Sequence, residues 1–173
     1  MNPITEPSPD QALLALLDQH ALPYRMAEHE AVFTVAEALA AAPDIDGFQT
    51  KNVFLRDGKG SRHFLAIVPH DTRLDLAGLA PVLGVPKLGM ASPDRLLRYL
   101  GITPGAVSVF ALINDTEQAV ELLLDERVWQ ADKIQAHPLR NTATVSLPHD
   151  SLVGFLAVTG HTPKVLPLGQ PQS

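Results

Sequence analysis

The chain has 173 residues, 46% of them hydrophobic and 18% charged, which suits one packed core and excludes a disordered or collagen-like chain. We therefore expect a single domain over residues 1–173, with its core at about 10–168 and frayed ends. Cysteine is absent, which excludes disulfides, thiolate zinc sites and a cysteine nucleophile. The net charge of −6 argues against indiscriminate nucleic-acid binding, including DNA binding, because phosphate neutralisation needs clustered Lys and Arg.

The sequence carries no signal for a membrane or for secretion. No run approaches the roughly 18 apolar residues of a membrane span. The first ten residues have neither the basic flank nor the apolar stretch of a signal peptide. The sequence therefore predicts a soluble cytoplasmic protein without a membrane partner.

The first predicted elements are a helix, a strand and a second helix. Ser8, followed by proline and then glutamine at the third helical position, predicts a helix that ends at about His20. Residues 22–28 are typical of a short strand. Thr34 with Glu37 repeats the capping pattern ahead of an alanine-rich run over 35–42, which predicts the second helix.

A hairpin is the clearest local prediction. Residues 50–56 and 62–68 are apolar and favour strands, and the loop 57–61 between them carries two glycines. Residues 71–83 then have the apolar spacing of a helix, which we expect Pro81 to divide into two short pieces.

The second half of the chain predicts further strands and helices. A strand over 85–91 precedes a helix that Ser92-Pro93 opens and Gly101 ends. After a turn at Pro104-Gly105, the remaining expected elements are a second hairpin, a strand, a helix and a closing strand. They lie at 106–113 with 119–125, 142–147, 150–159 and 164–168, followed by a frayed tail. The pattern favours an α+β domain with a mixed, mostly antiparallel sheet and flanking helices.

Several familiar sites are excluded by spacing. The seven histidines include no pair at the spacing of a metal motif. His29-Glu30 begins like a zinc-protease helix, but Phe33 stands where the second histidine belongs. No Gly-x-Ser-x-Gly elbow is present. We therefore expect neither a metal nor another cofactor.

Three features have both a structural and a functional interpretation. Lys51 begins an otherwise apolar strand, so it is either a solvated strand end or a cation that reaches into a cleft. His137 precedes proline, which holds it extended, either to shape a loop or to aim the imidazole into a pocket. Gly105 leads residues 105–108 out of a turn, and its exposed N–H groups could cradle an oxyanion or carboxylate. Together they suit stabilisation of an anionic reaction centre without a protein nucleophile.

Seven short segments, taken in their order and spacing over about residues 10 to 162, form a specific pattern. They are 28–34 (EHEAVFT), 50–56 (TKNVFLR), 91–93 (ASP), 105–108 (GAVS), 112–115 (LIND), 137–139 (HPL) and 141–144 (NTAT). In this arrangement the chain resembles the YbaK/prolyl-tRNA-synthetase-associated editing domains, and most closely the free-standing bacterial alanyl-tRNA(Pro) deacylases.

This resemblance implies hydrolysis of a mischarged aminoacyl-tRNA, chiefly alanine on proline tRNA. It implies that Lys51 and Asn52 hold the terminal adenosine and the ester, and that His137 is functional. The ribose hydroxyl next to the ester would help to activate water, and His137 is the first candidate for a protein base instead. The residues implied around the aminoacyl group are Val32, Phe33, Thr34, Gly105, Ala106, Val107 and Ser108.

Two features leave the specificity and the partners open. Val109 and Ala111 stand where many relatives have proline and glycine, so serine or threonine esters are alternative substrates. A catalytically silent module that binds tRNA or a synthetase is another alternative. The nearest basic cluster for the acceptor end of the tRNA is Lys87, Arg95 and Arg98, which is otherwise a solvated helix face. Prolyl-tRNA synthetase is a further expected partner.

Overall fold

The computed structural model describes residues 9–31, 37, 40 and 45–171. Its helices are α1 (Pro9–Gln19), α2 (Leu76–Val82), α3 (Pro93–Leu100), α4 (Glu126–Gln130) and α5 (His149–Thr159), with 3-10 helices at Pro104–Ala106 and Val109–Asn114. Its strands are β1 (Arg25–Glu28), β2 (Thr50–Asp57), β3 (His63–Pro69), β4 (Thr72–Leu74), β5 (Leu88–Met90), β6 (Val120–Asp125), β7 (Lys133–Ala136), β8 (Ala143–Pro148), β9 (Lys164–Leu166) and β10 (Gly169–Pro171). Most of the predicted helix over 35–42 lies outside the described residues, of which Glu37 and Ala40 are helical.

The described strands form three sheets. The largest has the order β5-β2-β3-β6-β9, with β2 antiparallel to β3 and β5, and β6 parallel to β3 and β9. The other two are antiparallel and have the orders β1-β8-β7 and β10-β4. The predicted α+β fold with mixed, mostly antiparallel pairing is confirmed, although the strands divide among three sheets instead of forming one.

The first predicted hairpin is confirmed as β2 and β3. The Asp57 carboxylate closes its turn by accepting hydrogen bonds from the backbone of Ser61 (2.8 Å) and Arg62 (3.1 Å). The register pairs Lys51 with Val68, at the opposite end of the hairpin from this turn.

The second predicted hairpin is wrong. Residues 106–113 are not a strand but belong to the two 3-10 helices and the link between them, and β6 pairs in parallel with β3. The four residues from Val109 to Leu112 are buried in succession, and an uninterrupted apolar run does not distinguish a buried strand from a buried helix. The Ser108 hydroxyl favours the helix because it caps Phe110 N–H (3.2 Å).

The prediction that Pro81 divides a helix is also wrong. The Asp75 side chain caps α2, so the preceding residues are free to form β4, and Pro81 lies in the last turn of one short helix. Two other predicted strands are shorter than expected: 22–28 reduces to β1, and 85–91 reduces to β5. In the predicted frayed tail, residues 169–171 are ordered as β10, which pairs with β4.

Alternating residues of the central sheet face two separate hydrophobic clusters. Phe54 and Ile67 belong to the first cluster, which includes α1, α3, α5, the 3-10 helix Val109–Asn114 and the β1-β8-β7 sheet. Leu55 and Val68 belong to the second cluster, against α2. No helix among the described residues is long and apolar enough to cross a membrane.

Candidate functional site

Lys51 and Asn52 lie side by side at the start of β2 and are both half-buried. Neighbouring strand residues point to opposite faces of a sheet, so Lys51 lies on the face of Leu55 and Asn52 on the face of Phe54. Within the described part of the chain, neither side chain has a hydrogen-bonding or ion-pair partner. Both polar groups are therefore available to a ligand at this end of the sheet.

The segment that leads into β2 is joined to β7. Phe48 forms a parallel bridge with Ile134, and Gln135 N–H donates to the Phe48 carbonyl at 3.0 Å. The Thr50 hydroxyl donates to the Gln135 carbonyl at 2.9 Å. Because β7 ends one residue before His137, these bonds bring the start of β2 to the segment that carries this histidine.

The hydrogen bonds of His137 define its neutral form. Its Nδ1 lies 2.9 Å from the Ala143 carbonyl, which can only accept, so Nδ1 carries the hydrogen and Nε2 has the free lone pair. Burial lowers the pKa of His137 below its usual value of 6.5, and the nearby His29 lowers it further, although the bond to Ala143 opposes them. A neutral imidazole with an unprotonated Nε2 can accept a proton or a hydrogen bond from a substrate or water.

His29 stands beside His137, a neighbour that the sequence analysis did not assign to the site. The two rings meet edge to face, with centroids 6.4 Å apart. His29 Nδ1 donates to the Glu30 carbonyl (2.7 Å), and Nε2 lies 2.8 Å from the Thr144 hydroxyl. The one sequence signal for His29 was its position directly after the predicted strand β1. The pairing of β1 with β8, which brings it to His137, was not predictable from spacing.

No three His, Cys, Asp or Glu side chains of the described residues cluster as metal ligands. His29 and His137 are instead held by protein oxygen atoms.

The glycine loop packs on the same hydrophobic cluster as the residues that flank His137. Gly105 is half-buried in the 3-10 turn, Ala106 is buried, and Val107 packs on the first cluster. The same cluster includes Ala136 and Leu139, on either side of His137. Ser108 is fully buried, where it caps the second 3-10 helix. The loop is therefore on the same side of the central sheet as the neighbours of His137.

The predicted aminoacyl wall of Val32, Phe33 and Thr34 lies outside the described residues. Its assignment stays a prediction.

The predicted tRNA-binding residues are at the far end of β2. The Lys87 carbonyl accepts from Gly58 N–H, and Arg95 Nη1 donates to the Gly60 carbonyl (3.2 Å), so both adjoin the hairpin turn. Arg98 is exposed on α3, with its guanidinium 5.5 Å from the Tyr99 ring centroid. At roughly 3.3 Å per residue, the turn is about 20 Å from Lys51. The structure does not bring this cluster to the candidate site, and its role in tRNA binding stays a prediction.

In sequence, the chain is similar to known aminoacyl-tRNA editing proteins. A model of the aminoacyl-tRNA editing domain matches residues 29–155. The chain is 37% identical over 158 residues to the prolyl-tRNA editing protein ProX of Acetoanaerobium sticklandii, covering 91% of this chain and 96% of that protein. It is 31% identical over 120 residues to the multifunctional Ser/Thr-tRNA deacylase ProXp-y of Escherichia coli, covering 68% of this chain and 71% of that protein.

One solved structure, described as a trans-editing enzyme for prolyl tRNA synthetase, has a similar fold. The TM-score is 0.70 at 22% identity, with 96% of this chain and 99% of that chain covered. At this identity the likeness concerns the fold.

Proposed function

The chain belongs to the aminoacyl-tRNA editing domain family, and on this basis we propose that it is a trans-acting deacylase of mischarged proline tRNA, with alanyl-tRNA(Pro) as the first substrate. The observation that supports the proposal is the hydrogen bond from Thr50 to Gln135, which joins the start of β2, with Lys51 and Asn52, to the segment that carries the neutral His137. This arrangement suits ester hydrolysis because the end of the strand supplies a cation and an amide, and the adjoining segment supplies a proton acceptor.

Deacylation adds water across the ester. The water oxygen bonds to the carbonyl carbon, the bond to the ribose oxygen breaks, and that oxygen takes up a proton. The negative charge that develops on the carbonyl oxygen is stabilised by a nearby cation or hydrogen-bond donor, a role that suits Lys51. Asn52 lies on the other face of β2 and so can hold a different part of the same substrate, such as the terminal adenosine.

The proton of the attacking water has two possible acceptors. The ribose hydroxyl next to the ester lies on the substrate itself, and His137 Nε2 is the protein alternative. We assign the first role to the hydroxyl, with His137 as its hydrogen-bonding partner. A substrate with hydrogen in place of that hydroxyl distinguishes the two acceptors. If it is hydrolysed at an undiminished rate, the base is His137.

Recognition of the substrate follows from its size and position. The acceptor end of the tRNA would reach Lys51, and the Gly105 loop with residues 32–34 would enclose the amino acid, excluding the larger proline. We also propose association with prolyl-tRNA synthetase and a cytoplasmic location, where charged tRNA is used.

The test is deacylation of alanyl-tRNA(Pro) by the purified protein and by Lys51→Ala. We expect hydrolysis by the wild type and a loss of about 10²-fold or more in the variant, because it removes an electrostatic donor to the transition state. Lys59→Ala is the matched control, since Lys59 is an exposed lysine on the hairpin turn. Hydrolysis at the buffer rate for alanine, serine and threonine esters would identify a silent binding module instead.

Serine or threonine ester specificity is the second candidate. Two observations favour it: the similarity to a Ser/Thr-tRNA deacylase, and the valine at position 109 where many relatives have proline. The same assay decides between the candidates by the ratio of kcat/KM for the three esters.

A further inference from the structure

The side chain of Arg140 joins three parts of the molecule around the candidate site. Nε donates to Asp10 Oδ2 on α1 (2.9 Å), and Nη2 donates to Glu28 Oε1 on β1 (3.0 Å). Nη1 donates to both the hydroxyl (2.8 Å) and the carbonyl (3.2 Å) of Thr142. We propose that Arg140 is a positioning residue that fixes the loop carrying His137.

The loop from His137 to Thr142 needs such a restraint. Leu139 has a φ of +67°, a left-handed conformation that is strained for a non-glycine residue. Its N–H donates to the His137 carbonyl at 2.9 Å, which closes a tight turn directly after the histidine. Leu139 is buried in the first hydrophobic cluster, and Arg140 fixes the other side of the turn.

Arg140 also connects the two histidines. The Thr142 carbonyl accepts from Arg140 Nη1 and from the backbone N–H of His29 (2.9 Å). Ala143, the next residue, accepts the hydrogen bond that defines the His137 tautomer. A shift of the Arg140 fork would therefore move the backbone on which both imidazoles depend.

The arrangement requires a guanidinium. Donors from three nitrogen atoms are used at once, whereas a lysine ammonium is a single point on a flexible stem. Arg140 is 28% exposed, its Asp10 partner 11% and its Glu28 partner 73%. The bond to Asp10 is better shielded from water, so it should contribute more than the bond to Glu28.

This inference rests on the proposed function, and its test compares Arg140→Lys with Arg62→Lys. Arg62 is a matched control because it also makes a fork, to both oxygens of Glu121 (2.8 and 2.9 Å) and to the Leu83 carbonyl (2.8 Å). It is 35% exposed and lies at the hairpin turn, away from His137. We expect both variants to lower the melting temperature, but Arg140→Lys alone to lower kcat, by tenfold or more, with little change in KM.

A second measurement does not depend on activity. Nitrogen-detected NMR of the imidazoles should show one Nδ1–H tautomer for His137 in the wild type and in Arg62→Lys. We expect a mixture of tautomers in Arg140→Lys, and a smaller change in the same direction in the milder variant Asp10→Asn. Asp10→Asn also serves if Arg140→Lys fails to fold.

The outcomes separate the two proposals. If the wild type hydrolyses none of the esters, the proposed function fails, and the tautomer of His137 still decides the role of Arg140. A folded Arg140→Lys with the kcat and the His137 tautomer of Arg62→Lys would overturn the positioning role. If Arg140→Lys cannot be obtained, an unchanged His137 tautomer in Asp10→Asn would overturn the positioning role.

Discussion

His137 and His29 form the only pair of imidazoles in edge-to-face contact among the described residues. Burial disfavours a proton on His137, and the charge of His29 disfavours it further. The proposed chemistry needs His137 neutral, because only that form has a lone pair at Nε2. The site is therefore predicted to stay active to a lower pH than a site with a solvated histidine would.

The pH profile of kcat/KM tests this prediction. Because the pKa of His137 lies below 6.5, kcat/KM should rise with pH through a value below 6.5 and then reach a plateau. His29→Asn removes the neighbouring charge, so the acid limb should move to higher pH. His20→Asn, at an exposed position after α1, is the control and should leave the limb in place. An acid limb that is the same in His29→Asn and the wild type would contradict the coupling.

Val109→Pro tests how the amino acid is read. Val109 is the first residue of a 3-10 helix, a position that tolerates proline because its N–H has no intrahelical partner. We therefore expect a folded protein with a changed ratio of alanine to serine or threonine hydrolysis, measured as kcat/KM on the three esters. Equal ratios in the variant and the wild type would place the specificity elsewhere.

The elements that sequence predicts best are those whose ends carry their own signals. For α3, the Ser92 hydroxyl accepts from Arg95 N–H (3.2 Å), and Gly101 adopts a φ of +67°, as the pattern of serine, proline and glycine predicts. The prediction of a strand over 106–113 was wrong because this apolar run does not alternate with polar residues. The only sign of a helix there is one capping serine, Ser108. Neither α4 nor β7 was predicted, because each is too short to show a period.

His63 joins the hairpin to α3, and its burial there predicts how the stability of the fold depends on pH. His63 is buried and its ring is tilted against that of Tyr99 (3.9 Å between centroids). It lies 3.0 Å from Arg95 Nη1, so its Nε2 accepts a hydrogen bond in the neutral form. Burial, and then the charge of Arg95, lower the pKa of His63 below 6.5. The unfolded chain therefore binds more protons below about pH 6.5, and the free energy of unfolding should fall as the pH decreases.

His63→Gln should flatten this dependence between pH 7 and 5, measured by urea unfolding, although the buried His137 keeps part of it. His70→Gln is the control, because His70 is exposed in the turn after β3. A slope equal to that of the wild type in His63→Gln would show that His63 does not contribute.

Across the whole molecule, long-range pairing decides which of the segments that carry predicted site residues adjoin. Sequence reasoning singled out Lys51 and His137, each with a structural and a functional interpretation, and the resemblance to a family added Asn52 and associated the three. The segments that carry these residues are joined by the bridge between Phe48 and Ile134, which no local pattern indicates. The role of Arg140 was not predictable either, because its partners lie on elements far apart in the sequence.

Leu168 and Gly169 make close contacts with other parts of the molecule. Leu168 N–H donates to the buried Asp125 carboxylate (3.0 Å), and a Cβ on Gly169 would overlap the Arg73 carbonyl oxygen. Gly169→Ala should therefore displace β10 and lower the free energy of unfolding by about 1–3 kcal/mol, as overpacking does. The measurement is chemical denaturation, with Gly89→Ala as the control, because nothing lies within 4 Å of a Cβ there. Equal stability of the two variants would contradict the close contact.

The pairing of β1 with β8 also sets an order of events during protein synthesis. Arg25 pairs with Ser146, more than a hundred residues later in the chain. Until β8 has emerged from the ribosome, β1 has no partner, His29 lacks Thr144, and His137 lacks the Ala143 carbonyl. A ribosome-bound chain that stops before residue 143 therefore contains Lys51 and both histidines but not the bonds that orient the imidazoles. The candidate site is completed only when most of the chain has been made, so catalytic competence should coincide with completion of the fold.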